Sequence, residues 1–433
     1  MTVTRRQFLI GLAGTGAATA LGACASSGDA GTAGSTTIGG GSGPSPSTAT
    51  TLASGRGRAT DDGILVVLTL YGGNDGLDTV IPATDSAYRA ARGALARDPA
   101  TVLDLGDGLG LHPALKQVKA MWDQRSLAIV RGVGFDDLDR SHFHCMDMWQ
   151  SGGDHHAVSG WLGRWLDTQP PDPLRAIAIG NDLPLLLRGT KASGSLVPLG
   201  PAKVPGGGEV AARFADLSKP RPGAPALLQA AATAGTDMLA VASRIASATA
   251  AATPDDDPVD GGGAAKAGGD AGGGAYGGGL TADLDLVARL IAADLPTRVY
   301  AVSMGGFDTH TSEAGTHDRL MAELDAGLGS FLAKVGERPV TVLAYTEFGR
   351  RVALNSSGGT DHGTAGPVFV CGPVVQGGFF GEEPGLTDLV DGDLKHNVDF
   401  RSLYTTVLNG VLGVDADVAI ADGGRYRPLP LLA

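Results

Sequence analysis

Cysteine and positive charge are both scarce in this chain of 433 residues. Only 3 cysteines are present, so the fold cannot depend on a framework of disulfide bonds. Acidic residues outnumber Lys and Arg by 46 to 33, which gives a formal net charge of -13 at pH 7. Nucleic acid attracts surfaces that are dense in Lys and Arg, so we expect no nucleic-acid partner.

A long apolar run is also missing from the N-terminus. Arg5 and Arg6 precede Phe8, Leu9 and a short stretch rich in Gly and Ala, a pattern typical of a twin-arginine export signal. The stretch is too short and too rich in glycine for a comfortable membrane span, so a transmembrane anchor is the weaker alternative. We expect the twin-arginine translocase to export the chain to the periplasm or the cell surface.

The apolar stretch ends in LGAC, which resembles a lipoprotein processing site. Residues 1–24 would then be the signal with its processing site, and Cys24 would carry a lipid that anchors the protein to the membrane. Residues 25–60 are rich in Gly, Ser and Thr and predict a disordered tether. The folded domain is expected over residues 61–433. A soluble product cleaved near the alanines is the alternative.

The rest of the chain alternates between apolar runs and helical patterns, which predicts an α/β fold with a parallel sheet covered on both faces. The expected strands are residues 64–70, 126–133, 176–180, 297–304, 340–346 and 367–372. The clearest helical patterns are residues 112–124, 316–336 and 399–414. Residues 181–240 are less regular and predict a cap, and residues 254–280 predict a low-complexity surface insertion.

Polar residues capable of chemistry follow or precede several of the expected strands. They are Asn74, Asp75, Ser141, His142, Asp308, His310, Glu347, Arg350, Arg351, Asp361 and His362. Ligands bind beyond the carboxyl ends of parallel strands, and Asp and neutral His are ligands of zinc and other divalent ions. Each motif taken alone is also an acceptable turn or helix cap. Their joint placement favours a metal site.

Ser141 stands where a helix is expected to begin, and two roles are open to it. It could serve only as the N-cap of that helix. It could also be a nucleophile, because a nearby metal lowers the pKa of a hydroxyl and a helix N-terminus favours phosphate or sulfate. In the second case Arg350 or Arg351 would supply a planar fork for the same oxyanion.

Several motifs, taken in order along residues 60–430, carry a family resemblance. They are GGNDGLDTV, LHPAL, RSHF, GWLGRWLD, GGFDTH, TEFGRR, GTDHGTAGPVFV and VDFRSLY. This order resembles the bacterial family catalogued as domain of unknown function 1501, a twin-arginine-exported branch of the alkaline-phosphatase-like clan. The resemblance implies a three-layer α/β/α sandwich with a mostly parallel central sheet, and it implies metal-dependent phosphatase or sulfatase chemistry.

The resemblance also implies a site with two divalent ions, zinc or else manganese, magnesium or calcium. One ion would lie between Asp75, Ser141, Asp361 and His362, and the second would use Asp308, His310 and His396. His317 is the alternative partner of Asp308. Catalysis is expected from Ser141 and Arg350, and substrate binding from Asn74, His142 and Glu347.

Three functions remain open from the sequence. The leading hypothesis is an exported, metal-dependent hydrolase of small or polymeric phosphate or sulfate esters that uses a metal-activated serine. The second is a metal-binding surface lipoprotein that keeps the fold without catalysis. The third is a metal-free esterase, which the missing G-x-S-x-G motif around Ser141 disfavours.

Overall fold

The computed structural model describes residues 63–198, 207–219, 221–250 and 279–432. The expected signal, the lipidation site at Cys24 and the tether lie outside the described residues. Residues 254–278 of the expected insertion also lie outside them. No helix in the described part of the chain is both long and apolar enough to cross a membrane.

The described ranges contain twelve strands and nine α-helices. The strands are β1 (Ile64–Leu70), β2 (Val80–Ile81), β3 (Leu103–Gly106), β4 (Leu109–Leu111), β5 (Leu127–Gly134), β6 (Ala176–Ile179), β7 (Ser195–Val197), β8 (Val299–Met304), β9 (Val340–Tyr345), β10 (Gly366–Cys371), β11 (Gly378–Phe380) and β12 (Val398–Asp399). The helices are α1 (Ser86–Arg92), α2 (Lys116–Asp123), α3 (His142–Ser151), α4 (Trp161–Leu166), α5 (Gly207–Leu217), α6 (Ala226–Ala250), α7 (Leu280–Ala292), α8 (Glu313–Val335) and α9 (Phe400–Gly410). All six strands expected from the apolar runs are confirmed to within three residues at each end.

The central sheet has nine strands in the order β11-β5-β10-β9-β1-β8-β6-β7, with β12 also paired to β5. Its neighbours are parallel except around β10, which runs antiparallel to both β5 and β9. The sheet is therefore mostly parallel, as expected, with one reversed strand that the sequence did not indicate. Strands β2, β4 and β3 form a separate small antiparallel sheet.

Alternate residues of the central strands enter two different hydrophobic cores. Val66 and Leu68 of β1 pack in one core with side chains of α2, α6, α7 and α8. Leu65 and Val67 pack in the other with side chains of α3, α4 and α9. Helices thus cover both faces of the sheet, and the expected three-layer α/β/α sandwich is confirmed. This burial on both faces explains why the strands are nearly continuous apolar runs.

The region that was expected to be irregular, residues 181–240, contains two helices. Helix α5 lies within this region, and the long helix α6 begins within it and extends beyond residue 240. Val241 and Ile245 of α6 join the core that also receives α7 and α8. The alanine-rich sequence of α6 supports a helix without a strong amphipathic pattern, which is why apolar spacing alone did not indicate it.

Candidate metal centre

Four loops meet beyond the carboxyl edge of the central sheet. Three of them follow β1, β5 and β8, and the fourth connects β9 to β10. Because β10 runs against its neighbours, its beginning lies at the edge where the other strands end. The reversed strand therefore brings His362 to the same place as Asp308 and His142.

Glycines allow the backbone of these loops to approach closely. Gly72 has a φ of +117°, and a Cβ there would lie 2.5 Å from the Asp308 amide nitrogen. A Cβ on Gly363 would lie 2.5 Å from the carbonyl carbon of Arg350. A side chain at Gly72 would displace the segment that carries Asp308, and a side chain at Gly363 would displace its own segment, next to His362, from Arg350.

One carboxylate oxygen, Oδ1 of Asp308, is the common point of the site. It lies 3.0 Å from Nε2 of His362, 3.1 Å from Nε2 of His310 and 3.6 Å from Nε2 of His142. The Nε2 atoms of His310 and His362 are 2.9 Å apart. We call these four residues the edge cluster: Asp308, His142, His310 and His362.

Each histidine of the edge cluster is held through its other ring nitrogen. Nδ1 of His142 lies 2.7 Å from Oε1 of Glu347, and Nδ1 of His310 lies 3.0 Å from Oδ1 of Asp361. Nδ1 of His362 lies 2.9 Å from the carbonyl oxygen of residue 140. All three partners can only accept hydrogen bonds when the acids are ionised, so each Nδ1 carries the proton. The lone pair of a neutral ring is then on Nε2, which faces Asp308.

This arrangement fits a divalent metal ion. Two Nε2 lone pairs only 2.9 Å apart repel each other unless a cation lies beside them. Zinc binds histidine nitrogen at about 2.0–2.1 Å, which places tetrahedral ligands about 3.3 Å apart, close to the spacings seen here. Acceptors that orient the distal nitrogen of each ligating histidine are the usual support of such sites. His142, Asp308 and His362 could therefore hold one ion, and His310 lies beside them against Asp308 and His362.

The charges of the site also favour a cation. Burial raises the pKa of Asp308, but hydrogen bonds with His142, His362 and Arg350 outweigh it and hold that pKa far below its usual range. Hydrogen bonds with Asp308 and Glu347 raise the pKa of His142 to about 9. Because metal ligands must lose their protons, an ion that binds here displaces a proton from His142.

Arg350 links Asp308 to the backbone of the surrounding loops through hydrogen bonds. Its side chain is buried, and its Nη2 donates to Asp308 Oδ1 at 2.7 Å. The same guanidinium donates to the backbone carbonyls of Gly72, Gly73, Phe307 and Thr360. These contacts use its donors to fix the loops and Asp308. The structure thus places Arg350 as a support for the cluster, whereas the sequence suggested that it faces an oxyanion.

Asp75 and Asn74 lie apart from the edge cluster. Asp75 is buried and forms a two-contact ion pair with Arg92, one contact being 2.8 Å. Burial raises the pKa of Asp75, but Arg92 outweighs that effect and lowers it. Asn74 is also buried, and its side chain bonds to Thr79 and His317. The polar atoms of these two side chains are thus engaged by Arg92, Thr79 and His317.

The other expected ligands are distributed as follows. Asp361 supports His310, and hydrogen bonds with His310 and Asn355 lower its pKa. His396 lies beside Asp136, with Nε2 3.6 Å from its Oδ1. His317, the alternative partner of Asp308, instead lies 2.9 Å from Oδ2 of Asp78. The edge cluster therefore takes only part of the ligand set that the family resemblance implied.

Two residues that were expected to bind substrate, His142 and Glu347, instead form part of the edge cluster and its support. His142 belongs to the edge cluster, and Glu347 is buried behind it, where its carboxylate also accepts from the Gly72 amide and the Thr346 hydroxyl. The sequence offered a signal for this pairing, since His142 and Glu347 both follow expected strands. Ser141 caps α3, and its Oγ accepts from the His144 amide at 3.5 Å.

Fold and site together define the class of this protein. It is a three-layer α/β protein with a candidate metal centre of histidine and aspartate beyond the carboxyl edge of its main sheet. The chain belongs to the family described as "Protein of unknown function (DUF1501)", whose model matches residues 64–430. No curated protein matches the chain.

Two solved structures show distant similarity, each at 8% sequence identity. A protein in the alkaline phosphatase superfamily from Vibrio parahaemolyticus aligns over 84% of this chain and 68% of its own, with a TM-score of 0.37. The C-terminal periplasmic domain of EcEptC from Escherichia coli, in complex with Zn, aligns over 84% of this chain and 88% of its own, with a TM-score of 0.40.

Proposed function

We propose that this protein is an exported, metal-dependent hydrolase of phosphate or sulfate esters. The observation that supports it most is the convergence of three histidine Nε2 atoms on one oxygen of Asp308, each ring being oriented by an acceptor behind it. A histidine-rich set suits zinc better than magnesium or calcium, which prefer oxygen. A divalent ion bound there supplies Lewis-acid chemistry by polarising an ester oxygen.

Ser141 is the nucleophile in this proposal. It directly precedes His142 and stands at the N-terminus of α3, where backbone amides favour an anionic group. Its cap hydrogen bond is 3.5 Å long, the outer limit for such a contact, so the cap holds the hydroxyl weakly. The Oγ attacks phosphorus or sulfur while the bond to the alcohol oxygen breaks, and the serine proton leaves with the alcohol. Water then hydrolyses the serine ester and restores the hydroxyl.

The export part of the proposal depends on the paired Arg5 and Arg6 and the lipid anchor on Cys24. A fusion of residues 1–60 to a reporter that is active only after twin-arginine export tests both. We expect export that requires the two arginines, and membrane association that Cys24→Ser abolishes. Export of an Arg5→Lys/Arg6→Lys fusion would contradict the route.

Metal analysis combined with a substrate panel tests the hydrolase. The full chain is stripped with a chelator, reloaded with zinc, manganese, magnesium or calcium, and given 4-nitrophenyl phosphate, bis(4-nitrophenyl) phosphate and 4-nitrophenyl sulfate. We expect turnover of at least one ester that is lost on stripping and restored by a metal. Turnover that survives stripping would instead support a metal-free esterase.

Ser141→Ala tests the nucleophile separately from the metal. We expect the variant to keep its bound metal and to lose more than about 10²-fold in kcat, because the covalent step is removed. Ser159→Ala, which changes a serine outside the cluster, serves as the control. Full turnover in Ser141→Ala would contradict the covalent mechanism.

A metal-binding surface protein without catalysis is the second candidate. It is favoured by the state of the nearby arginines, since Arg350 is engaged by Asp308 and Arg140 by Asp393. In the described part of the chain these cations have partners before any anionic ester arrives. Tight metal binding with no turnover of any ester would favour this candidate.

A further inference from the structure

A cavity of about 240 Å³ lies at the carboxyl ends of β1, β6 and β8. Its polar lining residues are Thr69, Tyr71, Gln150, Asn181, Asp182 and Ser303. A crevice beyond the ends of parallel strands is where open α/β sheets bind their ligands. The cavity has room for about eight waters of about 30 Å³ each, which is the scale of one small ring.

The chemistry of the lining selects against charged ligands. Among the described residues that line the cavity, none is Lys, Arg or His, and Asp182 is the single acid. An anion would meet an acid and no cation there. Hydroxyl and amide groups are present instead, from Thr69, Ser303 and Asn181, and they lie beside the apolar side chains of Ile179 and Leu186. Hydroxyl groups and apolar C–H faces together characterise a sugar ring.

The wall of the cavity is fixed and is tied to the edge cluster. Gln150 donates from Nε2 to the Tyr71 hydroxyl at 2.9 Å and accepts from the Leu186 amide at 3.2 Å. Gln150 follows His142 by eight residues of α3, which is about 12 Å along the helix. Tyr71 directly precedes Gly72, whose amide bonds to Glu347 behind His142. A ligand that reaches from the metal centre into the cavity is therefore longer than a bare ester group.

We propose that this cavity binds an uncharged sugar ring, the part of the substrate that carries the phosphate or sulfate placed at the edge cluster. The position of the ester rests on the proposed function, whereas the sugar rests on the cavity itself. The substrate class is thus a phosphorylated or sulfated carbohydrate.

The experiment measures sugar binding apart from hydrolysis. The full chain is mixed with the methyl glycosides of glucose, galactose, mannose and N-acetylglucosamine, and saturation-transfer NMR detects which of them binds. Ser303→Leu fills the cavity from β8, and Asn181→Ala removes an amide from its rim without adding bulk. Ser243→Leu, an exposed position on α6, is the matched control. We expect at least one glycoside to bind, both cavity variants to weaken it by more than about tenfold, and the control to leave it unchanged.

Hydrolysis of the matching sugar phosphate is measured beside that of phenyl phosphate. We expect Ser303→Leu to lower kcat/KM for the sugar phosphate relative to phenyl phosphate by more than about tenfold. Absence of binding for every glycoside, or binding that both cavity variants leave intact, would overturn the proposal. Glycoside binding that depends on Ser303 in a protein without turnover of any ester would uphold the cavity and overturn the hydrolase.

Discussion

Two groups of histidine and carboxylate in this fold have nearly the same composition and opposite chemical states. The edge cluster is partly open to solvent, whereas the second group is buried beside the small sheet. We call the second group the buried cluster: Asp78, His112 and His317. In each, the ligand atoms of three residues lie within 4.8 Å of one another, so distance alone permits a metal in both.

Protons and an arginine occupy the buried cluster. Arg97 donates to both oxygens of Asp78, at 2.6 and 2.7 Å. Nδ1 of His112 accepts from the Ala114 amide, so its Nε2 carries the proton and donates to Asp318 at 3.0 Å. Burial lowers the pKa of His112 to about 4, so the ring stays neutral in this state.

Both ring nitrogens of His317 in the buried cluster also have protein partners. Its Nε2 donates to Oδ1 of Asn74, which is an acceptor because the Asn74 amide nitrogen donates to Thr79. Its Nδ1 lies 2.9 Å from Oδ2 of Asp78, which can only accept a hydrogen bond, so this nitrogen carries a proton as well. In the edge cluster, by contrast, the acceptors lie behind the rings, and Nε2 of each ring faces Asp308. What separates a metal site from a structural network is thus the placement of protons.

The largest effect is expected from Asp78→Asn. This change removes the charge that Arg97 and His317 face in a largely buried place. Because Arg97 keeps Asp318 as a second partner at 2.8 Å, we expect a cost of about 3 kcal/mol of the free energy of unfolding, the low end for a buried pair. Urea denaturation of the stripped protein measures it, and metal affinity should remain that of the wild type. Loss of bound metal in a folded Asp78→Asn protein would show that the buried cluster, too, holds an ion.

The reverse pattern is expected from Asp308→Asn. Replacing the common carboxylate removes both a ligand and its charge, and we expect metal affinity to fall by more than about 10²-fold, or about 2.7 kcal/mol. Competition with a chromogenic chelator measures the affinity. The exposed acid Asp85, changed to Asn, is the control for net charge. An unchanged affinity in Asp308→Asn would remove the edge cluster as a metal site.

The family motifs and apolar runs predicted the strands of the main sheet and the three-layer architecture, because strands buried on both faces are continuous apolar segments in the sequence. Sequence did not predict that β10 is reversed, since strand direction depends on pairing with β5 and β9 and not on composition. That reversal decides which loop ends reach the edge. The family resemblance implied Asp308 and His310 at one ion and His362 at another, whereas the structure places these three side chains together where the strand ends meet.

The remaining assignments depended on partners that lie far along the chain. Asp75 follows β1 as a ligand would, but Arg92 on α1 pairs with it. His142 is oriented by Glu347, which is 205 residues away. Neither partner is marked by spacing, because each is brought into contact only by the packing of the layers. Side-chain roles at such a site are therefore determined by tertiary contacts more than by motif order.

An intermediate effect is expected from Asp361→Ala. Asp361 orients His310 from behind, and removing such a partner commonly costs 10–100-fold in metal affinity. The same chelator competition measures it. The result also distinguishes two interpretations of this loop. A loss as large as that of Asp308→Asn would show that Asp361 is itself a ligand, as the family resemblance implied.

The smallest effect is expected from Glu313→Gln, at a residue between the two clusters. Glu313 begins α8, one turn before His317, and its Oε2 accepts from the Thr360 hydroxyl beside Asp361. Burial and the charge of Asp75 raise the pKa of Glu313 to about 9, against about 4.3 for an unfolded chain. Between these values the folded state keeps a proton that the unfolded state releases, so this residue lowers the free energy of unfolding as pH rises.

The glutamine variant cannot release that proton. We therefore expect Glu313→Gln to gain about 1–2 kcal/mol relative to the wild type between pH 6 and pH 7, measured by urea denaturation of the metal-free proteins. Glu337→Gln, at an exposed position, should follow the pH profile of the wild type. If the two profiles of Glu313→Gln and the wild type are parallel, Glu313 is ionised in the fold. A buried carboxylate would then lie beside Asp75, between the two clusters.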